Sequence, residues 1–383
     1  MTPAAEGAAD PLRVVPAERG RARSDFLTLP WRLYANDRAW VPPLLLERRL
    51  QISRRRPFFA HARAAFWVAY RGARPVGRIS AQVDRLHLER YQDGTGFFGL
   101  LEAEDDGEVF AALAATAEAW LRREGLTRVR GPFDLSINEE CGLLIDGFDT
   151  APMVMMRHGR PYYAARIEEH GYRAAKDLLA YRLRSDIKLP PVMAAATARL
   201  EGVRVRPLRR ARLREELGIL REIFEDAWAD NWGFVPFTAA EFDELGWVLR
   251  FVVDDDFVQI AEVGGVPAAM LVLLPNVNEL IRDLDGRLLP FGWARLLARL
   301  RRGRVRWGRV ALMGVRKRYQ RTAEGLGLAC LVIDTARRAA FERGLQEVEL
   351  SWILEDNHGV RRIIEALGGE PYKRYRIYEK ALA

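Results

Sequence analysis

Cysteine is nearly missing from this chain: its 383 residues include two, Cys141 and Cys330, far apart and outside any metal-ligand spacing. That excludes a disulfide framework and a cysteine zinc site, and fits a reducing cytoplasm. Histidine is as sparse, with His61, His87, His158, His170 and His358 scattered along the chain. No metal is expected. Long apolar runs are lacking too, since none approaches the roughly 18 residues of a membrane-spanning helix. The strongest, Ala268 to Leu274, stops at Pro275 and reads as a buried strand. The N-terminus carries no apolar secretion segment. Residues 1–24 are mostly Ala, Pro, Gly and charge and are expected to be a flexible tail. Together these absences predict a cytoplasmic protein.

What remains is a globular composition, 49% apolar and 29% charged, long enough for two or three domains. The net charge of +8 rests almost wholly on arginine. Such a surplus suits nucleic acid, an anionic membrane surface or a polyphosphate ligand. The arginines are dispersed and no helix-turn-helix, zinc or RNA-binding signature accompanies them, so nucleic acid is not an expected partner.

An internal repeat organises the chain. Ile167 to Tyr172 matches Ile364 to Gly369, and the same offset of 197 residues pairs Gly171 with Gly368, Lys176 with Lys373 and Tyr181 with Tyr378. Each copy reads as a short helix, a glycine stop and a strand. Upstream, Ala69 to Gly77 parallels Ala261 to Ala269, a strand–turn–strand hairpin in both places. Between these landmarks lie two long amphipathic helices, at about 107–124 and 326–343. Short strands follow them, at 128–130 and 348–354. The chain therefore reads as a tandem duplication, with halves at residues 25–185 and 204–383 and a linker at 186–203.

Hairpin, strand, long helix, strand, helix, strand is the element order of the Gcn5-related N-acyltransferase (GNAT) fold. The C-terminal half resembles that family most closely. Arg309 to Val315 looks like the family's central strand, which implies that Met313, Gly314 and Val315 hold the pantetheine of an acyl-CoA. Arg316, Lys317, Arg318 and Arg321, followed by Gly325-Leu326-Gly327, look like its pyrophosphate loop. Glycines let backbone N–H groups approach a diphosphate, the following helix offers its positive end, and basic side chains add charge. Asn357 matches an Asn often found near the cofactor. The loop is about one residue longer than the family pattern, and the family's general-acid Tyr is replaced by Val360-Arg361-Arg362. The N-terminal half carries an acidic turn, Glu102 to Gly107, where a diphosphate would be repelled. It is expected to shape the acceptor site without binding CoA, as tandem GNAT proteins of the Fem and mycothiol-synthase kind divide labour.

The chain also resembles a narrower group, the bacterial ceramide-synthase-type GNAT proteins. The residues that carry this are Leu29 to Tyr34, Trp40 to Leu44, Asn138 to Asp149, Pro161 to Tyr163, Ala227 to Pro236 and Leu289 to Trp293. This resemblance implies a mixed-sheet α/β enzyme that transfers an acyl group to a primary amine, in particular a long-chain lipid amine such as sphinganine. Acceptors of other kinds, or a CoA-sensing scaffold, are the alternatives.

N-acylation needs a base for the amine and donors for the oxyanion. The segment Asn138-Glu139-Glu140-Cys141 is the first choice for the base, with Glu140 and Asn138 as its catalytic candidates, in an insertion where apolar neighbours Leu143 to Ile145 would raise a carboxylate's pKa. Cys141 lacks a His partner and reads as a buried side chain. Tyr375 and Tyr378 differ by an odd number, so one is expected to face in and the other out. Asn231, Trp232, Phe234 and Tyr162 are candidates for holding the acceptor. His358 reads as an exposed cap. Finally, an insertion at 275–308 contains an apolar stretch, Leu288 to Leu300, ringed by Arg295, Arg299, Arg301, Arg302, Arg304 and Arg306. An amphipathic helix of that kind suits a peripheral contact with the inner face of a membrane, or a basic surface helix packed on the core.

Overall fold

The computed structural model describes residues 10–303 and 305–382. The first half runs β1 (Leu12–Pro16), α1 (Gly20–Leu33), α2 (Leu45–Gln51), β2 (Ala62–Arg71), β3 (Arg74–Asp84), α3 (Arg85–Tyr91) and β4 (Thr95–Ala103). It continues with α4 (Gly107–Arg123), β5 (Arg128–Gly131), β6 (Leu143–Asp146), α5 (Tyr163–Glu168) and β7 (Arg173–Arg184). After α6 (Pro191–Ala198) the second half runs β8 (Val203–Pro207), α7 (Leu213–Trp228), α8 (Ala239–Val252), β9 (Val258–Val263) and β10 (Val266–Pro275). Then come α9 (Asn278–Ile281), α10 (Gly292–Arg302), β11 (Trp307–Val315), α11 (Ala323–Glu342), β12 (Glu347–Leu354), α12 (His358–Ala366) and β13 (Glu370–Ala381).

The duplication is visible in the turns. Arg71 pairs with Arg74 and Val263 with Val266, so each half has a two-residue hairpin. Gly72, Gly264 and Gly265 supply the positive φ that such turns need. All thirteen strands join one mixed sheet, in the order β1-β2-β3-β4-β5-β13-β7-β12-β11-β10-β9-β8, with β6 also paired to β13.

That order shows an exchange between the halves. The last strand of the first half, β7, pairs with β12 of the second, and β13 pairs with β5 of the first. The two exchanged strands pair antiparallel with each other. Lys176 lies opposite Ile377 and Ala180 opposite Lys373, and the 197-residue offset interchanges these two pairs. Leu178 opposite Tyr375 maps onto itself, so a pseudo-twofold axis passes through that pair. Each half completes its sheet with the other's last strand.

Two expectations are corrected here. Residues 10–23 are not a tail: β1 pairs along β2 and α1 begins at Gly20. The rest of α1 is anchored by Phe26 and Leu27, buried with Phe58, Phe66 and Val68. Residues 1–9 lie outside the described residues. The linker contains α6, which packs on α11 closely enough that a Cβ on Gly327 would lie 2.9 Å from the Ala196 carbonyl oxygen. Tyr375 and Tyr378 also differ from expectation. Both are fully buried, in different apolar clusters, because both faces of the sheet centre are covered.

Candidate functional site

β11 and β12 run parallel, but they pair only from Trp307 opposite Glu347 to Val310 opposite Leu350. Beyond that register the strands part. A bulge marks the same place: Val272 faces Leu312 and Leu273 faces Val310, which leaves Ala311 without a partner on β10. Val310 to Met313 are only half-buried, although β11 lies well inside the sheet. A strand with unpaired backbone on one side and a gap beside it can hydrogen-bond an extended ligand as a neighbouring strand would. Met313, Gly314 and Val315 lie along this open edge. Gly314 must be glycine, since a Cβ there would overlap the Trp228 ring from α7.

At the end of β11 the chain turns through Lys317–Tyr319 into α11. The helix begins at Ala323, three residues before the expected start, so Gly325 and Gly327 belong to its first turns. Gly325 lies against the Tyr319 carbonyl, where a Cβ would overlap, and its N–H donates to Thr322 Oγ1 at 3.0 Å. Gly327 faces α6. Neither glycine presents its backbone in the way the sequence pattern implied. The N–H groups of Ala323 and Glu324 remain at the helix end, where a diphosphate would be favoured. Arg318 and Arg321 are exposed around the turn, and Lys317, also exposed, is ion-paired to Asp230 at 2.7 Å. Arg316 is engaged as well, with Glu222 at 3.1 Å and the Pro267 carbonyl at 2.9 Å.

The corresponding gap in the first half is closed. β4 and β5 pair from Thr95 to Phe97 and then part. Here residues 132–135 fold back into the opening. Phe133 N–H donates to the Phe98 carbonyl at 2.8 Å, and Asp134 Oδ1 accepts from Leu100 N–H at the same distance. Arg157 fills the remaining space, pairing with Asp134 and reaching the Leu101 carbonyl at 3.2 Å. Every residue of β4 is buried. The second half has no such insertion: β12 leads through Glu355 and Asp356 straight into α12.

The insertion that closes the first opening also walls the second. Arg309 of β11 donates to the Val154 carbonyl at 3.2 Å, and Ser351 of β12 contacts Met156 Sδ at 3.4 Å. Val154 and Met155 pack on the apolar cluster of the second half, as do Val310 to Met313 and Ile353. Val154 and the half-buried Met155 thus line the second half's apolar cluster, while Met153 and Met156 are buried beneath them. Sequence reasoning missed this strip. The Met-Val-Met-Met run was its only signal.

The remaining candidates separate. Glu140 is ion-paired to Arg48 at 2.5 Å. Burial pushes its carboxyl up, but Arg48, Arg157 and Arg309 outweigh burial and hold it below the usual carboxylate value. The expected upward shift falls on Glu139, where burial outweighs Arg56. Asn138 Nδ2 donates to the Val235 carbonyl at 3.0 Å, tying the insertion to the second half. Cys141 is buried, and burial raises its thiol far above the usual range. The Tyr375 hydroxyl is buried without a hydrogen-bond partner, its pKa raised by burial and by Glu349. Near it, Arg309 bonds Ser351 Oγ at 2.8 Å and Ser351 bonds Glu349 at 2.5 Å.

Trp232 sits between the halves with Arg130 over its ring at 5.0 Å. Asn231 closes the turn after α7 through its backbone, and Phe234 is core, against Phe224. Tyr162 is not brought to this cleft: its hydroxyl donates to the Ala103 carbonyl in the first half. Asn357 caps α12, its side chain accepting from Val360 N–H at 3.3 Å, and His358 is exposed beside it. Among the described residues no cluster of His, Cys, Asp and Glu could hold a metal, and no helix is long and apolar enough to cross a membrane.

No family model matches the chain. It is 48% identical over 359 residues to protein YghO of Escherichia coli, covering 93% of this chain and 92% of that one. It is 44% identical over 375 residues to the bacterial ceramide synthase of Caulobacter vibrioides, covering 97% and 98%. Among solved structures, a tandem GNAT protein from the clavulanic acid biosynthesis pathway matches 97% of this chain and 99% of its own, with a TM-score of 0.58 and 15% identity. The shared fold and the full-length likeness to the Caulobacter protein give the assignment: this chain belongs to the tandem GNAT N-acyltransferases, in the group that includes the bacterial ceramide synthase.

Proposed function

We propose that the protein transfers a fatty acyl group from acyl-CoA, bound between β11 and β12, to the primary amine of a long-chain lipid such as a sphingoid base. The observation that supports the donor site is the asymmetry of the two openings, one lined by half-buried Val310 to Met313 and the other filled by residues 132–135 and Arg157. The exposed Arg318 and Arg321 before the start of α11 would meet the diphosphate, and Lys317 would join them on leaving Asp230. Backbone N–H groups near Ala311 would receive the thioester carbonyl as its carbon becomes tetrahedral. The amine nitrogen attacks that carbon, the carbon–sulfur bond breaks, and one amine proton leaves as the thiol is formed.

The acceptor reading draws on the name of the Caulobacter relative and on the apolar wall formed by Val154 and Met155. On this reading the enzyme works in the cytoplasm, at the inner membrane face. The test is thiol release from palmitoyl-CoA and acetyl-CoA, each with sphinganine, with its 3-keto form and with no acceptor. Release from the long donor only with a sphingoid amine supports the proposal. Turnover of small amines alone overturns the lipid acceptor, and absence of CoA binding overturns the donor site.

A further inference from the structure

The insertion between β10 and β11 ends in an uncovered apolar edge. Leu289 is 78% exposed, Phe291 71%, Trp293 53% and Leu297 40%, and no residue of α10 is buried. Water-exposed Leu, Phe and Trp side chains at one tip are costly unless something covers them. The insertion itself is firmly held. Arg299 pairs with Asp283 and reaches the Leu280 carbonyl at 2.6 Å, while Glu279 accepts from the Trp307 N–H at 2.9 Å. Leu288 and Leu296 pack against Val41, Ile281 and Leu284. The exposed side chains are therefore presented by a fixed element, not by a loose loop.

Charge identifies the partner. Residues 276–306 contain eight arginines against three carboxylates. Arg287, Arg295, Arg301 and Arg302 are exposed around the apolar edge. Aliphatic and aromatic side chains that enter the acyl boundary, flanked by guanidinium groups at headgroup level, match an anionic lipid surface.

The placement is also informative. Asn278 of α9 donates to the Pro152 carbonyl at 3.0 Å, and Ala151 packs against the same insertion. Pro152 leads through Met153 into Val154 and Met155, which pack on the second half's apolar cluster. We infer that the edge formed by Leu289, Phe291, Trp293 and Leu297 docks the enzyme on an anionic lipid surface beside the acceptor entrance. Its use in lipid acylation rests on the function proposed above, but the docking itself does not.

Vesicle flotation of the whole protein tests it without reference to catalysis. Vesicles of phosphatidylcholine would be compared with vesicles containing ~30% phosphatidylglycerol, at low and high salt. The protein should float with the anionic vesicles and be released by salt. The double variant Phe291→Ser/Trp293→Ser should lose binding by about tenfold or more, and Arg295→Glu/Arg301→Glu likewise. Phe341→Ser, which removes an exposed aromatic elsewhere, should float as the parent does. Equal flotation of all variants, no flotation at all, or a concentration-dependent dimer that Phe291→Ser/Trp293→Ser abolishes would overturn the inference. Acylation of micellar sphinganine, measured in parallel, reports on the acceptor reading separately. Turnover without flotation removes only the docking surface, and flotation without turnover removes only the acceptor.

Discussion

The Phe133 carbonyl oxygen occupies the space that a Cβ on Gly99 would need. This contact is the closure of the first half's opening: the chain after β5 crosses β4 so tightly that only glycine fits below it. Gly99→Ala should push residues 133–135 outward and break the Asp134 and Gln82 hydrogen bonds that hold them. The expected loss is about 1–3 kcal/mol of stability, read from urea denaturation. Acyl-CoA binding by the folded fraction should change less than stability does, because Val310 to Met313 of the proposed donor site lie in the other half.

The same asymmetry predicts one acyl-CoA per chain, measurable by titration calorimetry. Replacing Arg318 and Arg321 together by Ala should weaken binding by roughly fivefold to tenfold and flatten its salt dependence, as expected for exposed charges near a diphosphate. Two sites per chain, or an unchanged affinity in the double variant, would count against the proposed loop.

Glu140→Gln should act on stability before chemistry. The carboxylate is held ionised by Arg48 at 2.5 Å, and removing its charge leaves a half-buried guanidinium with the Gln51 side chain at 2.9 Å but without its ion-pair partner. Loss of one member of such a half-buried pair should cost about 1–3 kcal/mol. The pH profile of kcat for the folded variant should match the parent's; a missing basic limb would instead assign Glu140 as the base.

The duplicated order of elements was legible because it is local: hairpin turns, amphipathic helices and glycine stops each announce themselves within a few residues. The exchange of β7 and β13 was not, since two strands of one repeat carry the same pattern wherever they pair. Among the candidates, the central strand from Met313 to Val315 lies at the open edge, but Glu140 misled. Its apolar sequence neighbours suggested a raised pKa, whereas its spatial neighbours are arginines from distant elements, Arg48, Arg157 and Arg309. The flexible-tail reading of residues 1–24 failed for a similar reason: β1 is stabilised by pairing with β2, about fifty residues away in sequence.

Two buried cations should shape stability against pH in opposite senses. His61 lies in the first half with Nδ1 2.9 Å from Asp84 and Nε2 3.1 Å from Glu241 of α8 in the second. Burial alone would favour the neutral ring, but the two carboxylates outweigh it and raise the pKa to about 9. The folded state thus keeps a proton that the unfolded chain releases above about 6.5, so this stabilisation is complete below that pH and is lost as pH rises through 9. Lys373 is buried among carbonyls, its Nζ 2.6 Å from Gly147 O and 2.8 Å from Thr150 O. Burial lowers its pKa to about 8. Between about 8 and 10.4 the unfolded chain holds the extra proton, and stability rises with pH there. The parent should therefore lose about 1–3 kcal/mol between roughly pH 6.5 and 8, then change little up to pH 9 as the two effects oppose each other. His61→Gln should abolish the first fall, and Lys373→Met should let the fall continue to pH 9. Urea midpoints at three pH values decide it, and a His61→Gln variant that still loses stability below pH 8 would show that the interhalf ion pair is not its source.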